Sequence, residues 1–451
     1  MIIASRMRGV ATGVALFSGA VLSAAPLGAQ GSMTDDGGRP ISLREAIALA
    51  QRNSPSIAAA QGLERTAGGA RRAGFAAYAP TFTVTAGQAR SNGVQFFQGQ
   101  LVPLTGNPWN YNNGLTANLE LFDGGRRTNE LRRVSATLNA ADASTVAARF
   151  DAELQVKTQY YAALAARESE IAARTQLSQA QEQLKASSAR VAAGVATKSD
   201  SLRSAILVGQ AQLAVITAQN DLRVANASLT RVIGSTAPVA AMPSDTLDAT
   251  GALPTEAEIA TIAASGPAVR LAEANVYAAR ASKASQKSLY LPSLTMSYTY
   301  SYTQSSKAFT TGSLIIVGGD NPNRQNLNFN FSYPLFNGLV REQNTLLLDV
   351  AIVNAEAQLR DAKLAARSTL ITLLRAIQTA QSRVDVQIAT IASAEEDLRV
   401  QQQRYALGAS TLLDLLTSQT TLNQAQQALI QARLDGRVAR AQLASLLGRD
   451  L

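Results

Sequence analysis

Neither cysteine nor histidine occurs anywhere in the 451 residues of the sequence. Their absence removes disulfides, thiolate nucleophiles, the usual zinc ligand sets and imidazole acid-base chemistry together. Carboxylates remain, but no convergent acidic pair stands out, so no catalytic residue, cofactor or metal is expected. Aromatic residues make up only 5% of the chain and charged residues 16%. Alanine, glutamine, leucine and serine are abundant instead, a usage that suits long helices packed closely through small side chains. The formal charge is +9, yet the arginines are scattered along helical sequence, a poor footprint for nucleic acid. Proline is confined too: all 13 lie outside the stretches Asp123 to Ile233 and Leu335 to Leu451.

Each proline-free stretch contains one version of a turn motif. Gln403 to Asp414 reads QRYALGASTLLD, and Ala189 to Asp200 reads ARVAAGVATKSD. In both, an Arg is followed four residues later by Gly and six after that by Asp. The two motifs differ in number by 214, and so do Phe122 and Phe336, Gly124 and Gly338, Arg127 and Arg341, and Gly234 and Gly448. Upstream the shift becomes 212, from Tyr78 to Tyr290 and Pro80 to Pro292. A unit of about two hundred residues thus occurs twice, too long for a solenoid repeat and consistent with internal duplication.

The first residues read as a signal peptide over 1–29: Arg6 and Arg8, the apolar run Val10 to Leu22, then small residues from Ser23 to Gln30. An uncleaved anchor is the alternative, against which the run is shorter than the ~20 apolar residues a span needs. No Cys follows, so no lipid anchored through Cys is expected.

Heptad spacing runs through the proline-free stretches. Leu370, Ile377, Val384, Ile391, Leu398 and Tyr405 succeed one another at steps of seven, as do Val208, Val215, Leu222 and Leu229. Steps of seven hold residues on one helix face against a neighbouring helix, as in a coiled-coil seam. The first unit, 30–234, is expected to hold a helix at 43–77, a strand hairpin at 81–122, a long helix at 124–193 and a return helix at 199–233. A linker covers 235–254. The second unit, 255–451, repeats the plan with a helix at 255–289, a hairpin at 293–336, a long helix at 338–407 and a return helix at 411–447. At ~1.5 Å per residue the long helix spans on the order of 100 Å. The return helix is half as long, and the opening helix stacked on its end would make up the difference.

The hairpins differ in character. Seventeen of the 23 aromatic residues fall between Phe75 and Phe122 or between Tyr290 and Phe336, and only Arg90, Glu120, Lys307, Asp320 and Arg324 are charged within the hairpins. Leu294, Met296, Tyr298, Tyr300 and Tyr302 alternate with Thr295, Ser297, Thr299, Ser301 and Thr303, and Leu327, Phe329, Phe331, Tyr333 and Leu335 with Asn328, Asn330, Ser332 and Pro334. One face is apolar and the other polar but uncharged. A soluble sheet with one buried face would alternate in the same way. The signal sequence, strand length, aromatic concentration and scarcity of charge point to transmembrane β-barrel strands, with extracellular tips at Ser91 to Asn113 and Ser305 to Asn323. Four strands per chain cannot close alone, and open edges are not tolerated in lipid. Several chains must therefore combine into a pore, since two give a filled barrel and more leave a channel.

With these features the sequence resembles the TolC-type outer-membrane efflux family. The resemblance rests on the duplicated unit, on Asn53 to Pro55 (NSP) and Ser265 to Pro267 (SGP), on YAP and YLP before the strands, on LELFDGGRR (Leu119 to Arg127) and YPLFNGLVR (Tyr333 to Arg341), and on the turn motif Arg404 to Ala432. It implies a mixed α/β membrane protein, a homotrimer with a transmembrane β-barrel continued by a long α-helical coiled-coil barrel. It also implies location in the outer membrane of a Gram-negative bacterium, contact with lipid, and no catalysis. The partners it implies are a periplasmic adaptor and an inner-membrane transporter of RND, ABC or MFS type. The function implied is the exit duct of an efflux or type I secretion system; a periplasmic coiled-coil scaffold or adaptor without a pore is the rival.

The resemblance further implies that both turns lie at the tunnel tip. Arg190, Gly194, Val195, Arg404, Gly408 and Ala409 match positions that dock the adaptor, although the glycines equally suit left-handed helix ends. Asp414 matches an acidic gate position, and Tyr405 and Asp200 match a hydrogen-bonded pair that holds the gate shut. Asp414 and Asp200 equally suit helix-start acids with Thr411 or Ser199 nearby as caps. The sequence departs from the family at Thr417, where a second acidic ring is expected, and at Ser410, where a basic latch is expected. The gate should be correspondingly less charged and less strongly latched.

Overall fold

The structure, a computed structural model, describes residues 38–90, 94–97, 100–103, 105–247, 256–311, 314–317 and 323–449. The expected signal peptide, residues 248–254 of the linker and parts of both strand tips lie outside the described residues.

Two helical hairpins dominate. Helix α3 (Arg126–Ala192) and helix α7 (Val340–Ala406) have 67 residues each, and their return helices α4 (Lys198–Ile233) and α8 (Leu412–Leu447) have 36 each. The heptad residues form the seams: Leu222, Leu229, Leu370, Ile377 and Leu398 are buried, while Ile391 and Tyr405 pack at the edge of a core of Ala394, Leu398, Leu412, Leu415 and Leu422 near the second turn.

The opening helix of each unit, expected as one segment at 43–77 and at 255–289, is two helices. Leu43–Asn53 (α1) gives way to Pro55–Ala76 (α2), and Glu256–Ala263 (α5) to Pro267–Lys287 (α6). Pro55 and Pro267 each take the first helical position, where a missing N–H costs nothing. The residues before them, Ser54 (ψ 124°) and Gly266 (ψ 168°), are extended, because the proline ring disfavours helical backbone in its predecessor.

These breaks are where the return helices end. Gly234, the left-handed C-cap of α4, lies against Asn53, whose Nδ2 donates to the Gly234 carbonyl at 3.4 Å. Gly448, the left-handed C-cap of α8, lies against the Pro267 ring. Each return helix thus abuts an opening helix, and α2 and α6 continue along the long helices. Here β1 (Arg39–Ile41) pairs in parallel with β6 (Val239–Ala241). The core beneath them contains Ile41, Val156, Leu164, Leu229 and Ile233. The buried Tyr160 hydroxyl ties the layer together: it reaches the Ile41 carbonyl at 3.1 Å and the Asp245 carboxylate, and accepts the Met242 N–H at 3.2 Å. Burial first, and then the Asp245 carboxylate, push its pKa far upward.

At the far ends of the long helices lies an antiparallel sheet in the order β2 (Thr81–Arg90), β5 (Thr105–Phe122), β7 (Ser293–Thr311) and β9 (Asn323–Ser332). Two short strands, β3 (Val94–Phe97) and β4 (Gln100–Pro103), form a separate ribbon, and β8 (Leu314–Val317) extends the pairing of β7.

Candidate functional site

The strand register converts alternation into two chemically distinct faces. Phe82 lies opposite Ala117, Ala117 opposite Tyr298, and Tyr298 opposite Leu327. Leu119, Met296 and Phe329 make the next row of the same face. The rows between are polar: Thr83, Thr116, Thr299 and Asn326, then Thr81, Asn118, Ser297 and Asn328. Both β2 and β9 are exposed along their whole lengths. Phe82, Val84, Leu327, Phe329 and Phe331 are exposed apolar side chains on one face. A slip of one residue in any strand would mix the faces.

The helical turns at the other end are built twice to one plan. Gly194 (φ 74°) and Gly408 (φ 76°) take the left-handed conformation that glycine enters without steric cost. The Val195 N–H reaches the Arg190 carbonyl at 3.0 Å and the Gly194 N–H that of Val191 at 3.0 Å, while Ala409 and Gly408 make the same pair with Arg404 and Tyr405 at 2.8 and 3.1 Å. These paired bonds absorb the carbonyls left over at a helix C-terminus. Both return helices then start on a reciprocal cap. Thr197 and Asp200 form one, and Thr411 and Asp414 the other, each Thr hydroxyl accepting the Asp N–H and each carboxylate accepting the Thr N–H. The first cap is Thr197, two residues earlier than the expected Ser199.

Asp200 and Asp414 are therefore helix-start acids in this chain. Hydrogen bonds from the Thr411 hydroxyl first, and then from the Thr411 N–H and the Ser410 hydroxyl, hold the exposed Asp414 carboxyl below its ordinary value. Ser410 also donates to Gln401 at 2.9 Å. The Thr417 hydroxyl turns back to the Leu413 carbonyl at 2.9 Å, so it caps nothing outside its own helix. Val195, Gly408 and Ala409 are exposed at the turns, and a Cβ added at Gly194 or Gly408 would meet no atom within 4 Å.

The expected hydrogen bond between Tyr405 and Asp200 is not formed in this chain. The Tyr405 hydroxyl has no hydrogen-bond partner, although burial and the nearby Asp200 charge push its pKa up against the opposing pull of Arg190. Arg190 makes the contact instead. Its Nη1 donates to the Tyr405 carbonyl at 3.0 Å and the Ala406 carbonyl at 3.1 Å, and its guanidinium lies 4.8 Å from the centre of the Tyr405 ring. Arg404, its counterpart, stays in its own turn, donating to the Ala409 carbonyl at 3.3 Å. Next to these residues a cavity of about 520 Å³ separates the two hairpins, lined in part by Glu182, Gln183, Gln402 and Gln419. Among the described residues, no cluster of three or more acidic side chains could hold a metal ion.

The family model for outer membrane efflux proteins matches residues 46–235 and again 259–449. The chain belongs to the outer membrane efflux protein family. The match in two parts coincides with the duplication, and the family and its structural neighbours are channels and not enzymes. The pyoverdine export outer membrane protein OpmQ of Pseudomonas aeruginosa is 29% identical over 343 residues, 71% of this chain. The outer membrane protein TolC of Salmonella enteritidis is 24% identical over 144 residues, 32% of this chain. The matched segments span 66% and 29% of those relatives' own lengths. Among solved structures, the outer membrane protein VceC of Vibrio cholerae superposes with a TM-score of 0.74 at 17% identity, covering 90% of this chain and 96% of that one. That likeness carries the fold. As a member of this family the protein resides in the outer membrane and extends into the periplasm.

Proposed function

We propose that the protein is the exit duct of a tripartite efflux or type I secretion system, acting as a homotrimer. The observation that carries this reading is the open four-stranded sheet, exposed on both faces and apolar on one. Such edges cannot persist in lipid, so β9 of one copy must pair with β2 of the next. Three copies supply twelve strands, beyond the eight that side chains alone can fill. The helices support the same assembly: Leu202, Ile206, Leu213 and Ile216 leave an apolar stripe on α4, and Leu346, Val350, Val353, Leu364 and Ile371 leave another on α7. Neighbouring copies would cover both.

In this assembly the tips form the periplasmic mouth. Three Asp414 carboxylates ring the passage as a cation-attracting gate, with Ser410, Thr417, Tyr405 and Asp200 around it. Gly194, Val195, Gly408 and Ala409, flanked by Arg404, form the rim on which a periplasmic adaptor docks, and an RND, ABC or MFS transporter supplies the cargo. The export role in the name OpmQ favours a small-molecule cargo. The test is purification followed by planar-bilayer recording. The expected outcome is a heat-resistant trimer that needs detergent, with discrete currents. Asp414→Ala should raise conductance or weaken block by multivalent cations. A water-soluble monomer would overturn the proposal.

A further inference from the structure

We infer that Arg190 is an intrachain latch that fastens the α7–α8 tip to the α3–α4 tip, in place of a bond between the Tyr405 hydroxyl and Asp200. The inference deepens the channel reading above and rests on it for the claim that tip separation widens a passage.

Several independent features of the site support it. The side chain crosses between hairpins whose residues lie 215 and 216 positions apart in sequence. Its targets are the last two carbonyls of α7, at the negative end of the helix dipole; that of Tyr405 also accepts the Gly408 N–H at 3.1 Å, so the arginine adds a second donor there. A cation placed there gains twice, because its own helix α3 also ends at this level. The Tyr405 ring then closes over the guanidinium, adding a cation–π contact. Neutral ties support the pair farther from the tip, from Gln419 to Gln179 at 3.4 Å and from Ser169 to Gln427 at 3.2 Å. The duplication explains why the latch is single. The counterpart of Tyr405 in the first repeat is Val191, which offers no ring, and Arg404 remains in its own turn.

Any spreading of the two tips must break this grip, which makes the arginine Nη1 with its charge and the tyrosine ring the parts that matter. The hydroxyl, lacking a partner, should be dispensable. With no native cysteine, spin labels can be placed through Val195→Cys and Ala409→Cys in the purified full-length protein, diluted with unlabelled copies. The distance distribution between labels should be narrow in the parent. Arg190→Ala and Tyr405→Leu should lengthen and broaden it, Arg190→Lys should recover part of the loss, and Tyr405→Phe should match the parent. In bilayers the loosened variants should show a several-fold rise in conductance. An unchanged distribution in Arg190→Ala would overturn the latch, as would loosening by Tyr405→Phe equal to that by Arg190→Ala. Loosened distances in a protein that carries no current would leave the latch standing and overturn the channel reading.

Discussion

The assignment of the sheet's two faces can be tested with one substitution on each. Leu327 and Asn328 are neighbours near the middle of β9, paired with Tyr298 and Ser297 on β7. The Leu327 side chain is 56% exposed in the single chain, on the face that must contact lipid if the sheet is a barrel wall. Leu327→Arg gives up about 1.5–3 kcal/mol of apolar burial and adds about 2–4 kcal/mol for a cation at mid-membrane depth. The combined cost of about 3.5–7 kcal/mol corresponds to roughly a three-hundred- to hundred-thousand-fold shift in an assembly equilibrium. Asn328→Arg places the same charge in a wet lumen, where it escapes the lipid-face penalty and acts on ion selectivity instead. Heat-resistant oligomer recovered from outer membranes should therefore be lost in Leu327→Arg and kept in Asn328→Arg, whose currents should shift toward anions. Equal tolerance of the two, or loss in Asn328→Arg alone, would refute the facing.

Tyr160→Phe removes a buried hydroxyl that serves Ile41, Met242 and Asp245. A loss of about 2–3 kcal/mol is expected, read as roughly 30- to 150-fold faster amide exchange around β1 and β6; unchanged exchange would contradict it. Gly408→Ala should cost only the left-handed strain of about 1–2 kcal/mol, since nothing lies near its new methyl group. Gly448→Ala adds a clash at 2.8 Å with Pro267 and should lower the melting temperature more; equal shifts would refute that packing account. Because its caps lower the Asp414 pKa, the stability they confer is present above the ordinary carboxylate value and lost as pH falls through the folded one. Cation block should accordingly hold steady from pH 7 to about 5, and a midpoint near 6 would mean that repulsion between copies outweighs the caps.

Periodic features were legible in the sequence and single contacts were not. Leu222, Leu229, Leu370 and Ile377 could be placed in seams because a step of seven recurs, and burial follows it. Strand faces were legible for the same reason with a period of two, although pairing partners came only from the register. The helix breaks at Ser54 and Gly266 had a visible signal in the prolines that follow them, but the helical pattern continues across both and hides the interruption. Thr197 was missed as a cap because Ser199 stands next to Asp200, whereas the reciprocal geometry needs a spacing of three. The partner of Arg190 lies 215 positions away, and no local pattern specifies it.

The duplication gives the two hairpins one design but not one strength. Where β5 meets α3, Asp123 accepts the N–H groups of Gly125 and Arg127 and the Arg127 side chain, and Gly125 takes the left-handed turn freely. The corresponding residues before α7 are Asn337, whose side-chain oxygen has no hydrogen-bond partner, and Leu339, which is forced to φ 66°. A branched side chain in that conformation costs about 1–2 kcal/mol. Arg341 compensates in part by donating to the Pro334 and Leu335 carbonyls at 2.9 and 3.3 Å while lying 4.7 Å from the Tyr290 ring. Helix α7 thus leaves the sheet through a more strained and less capped junction than α3. Its far end is held by an arginine from the other hairpin. The α7–α8 pair is the one with less to lose by moving, and Arg190 acts at the end where a long lever magnifies whatever play the junction allows.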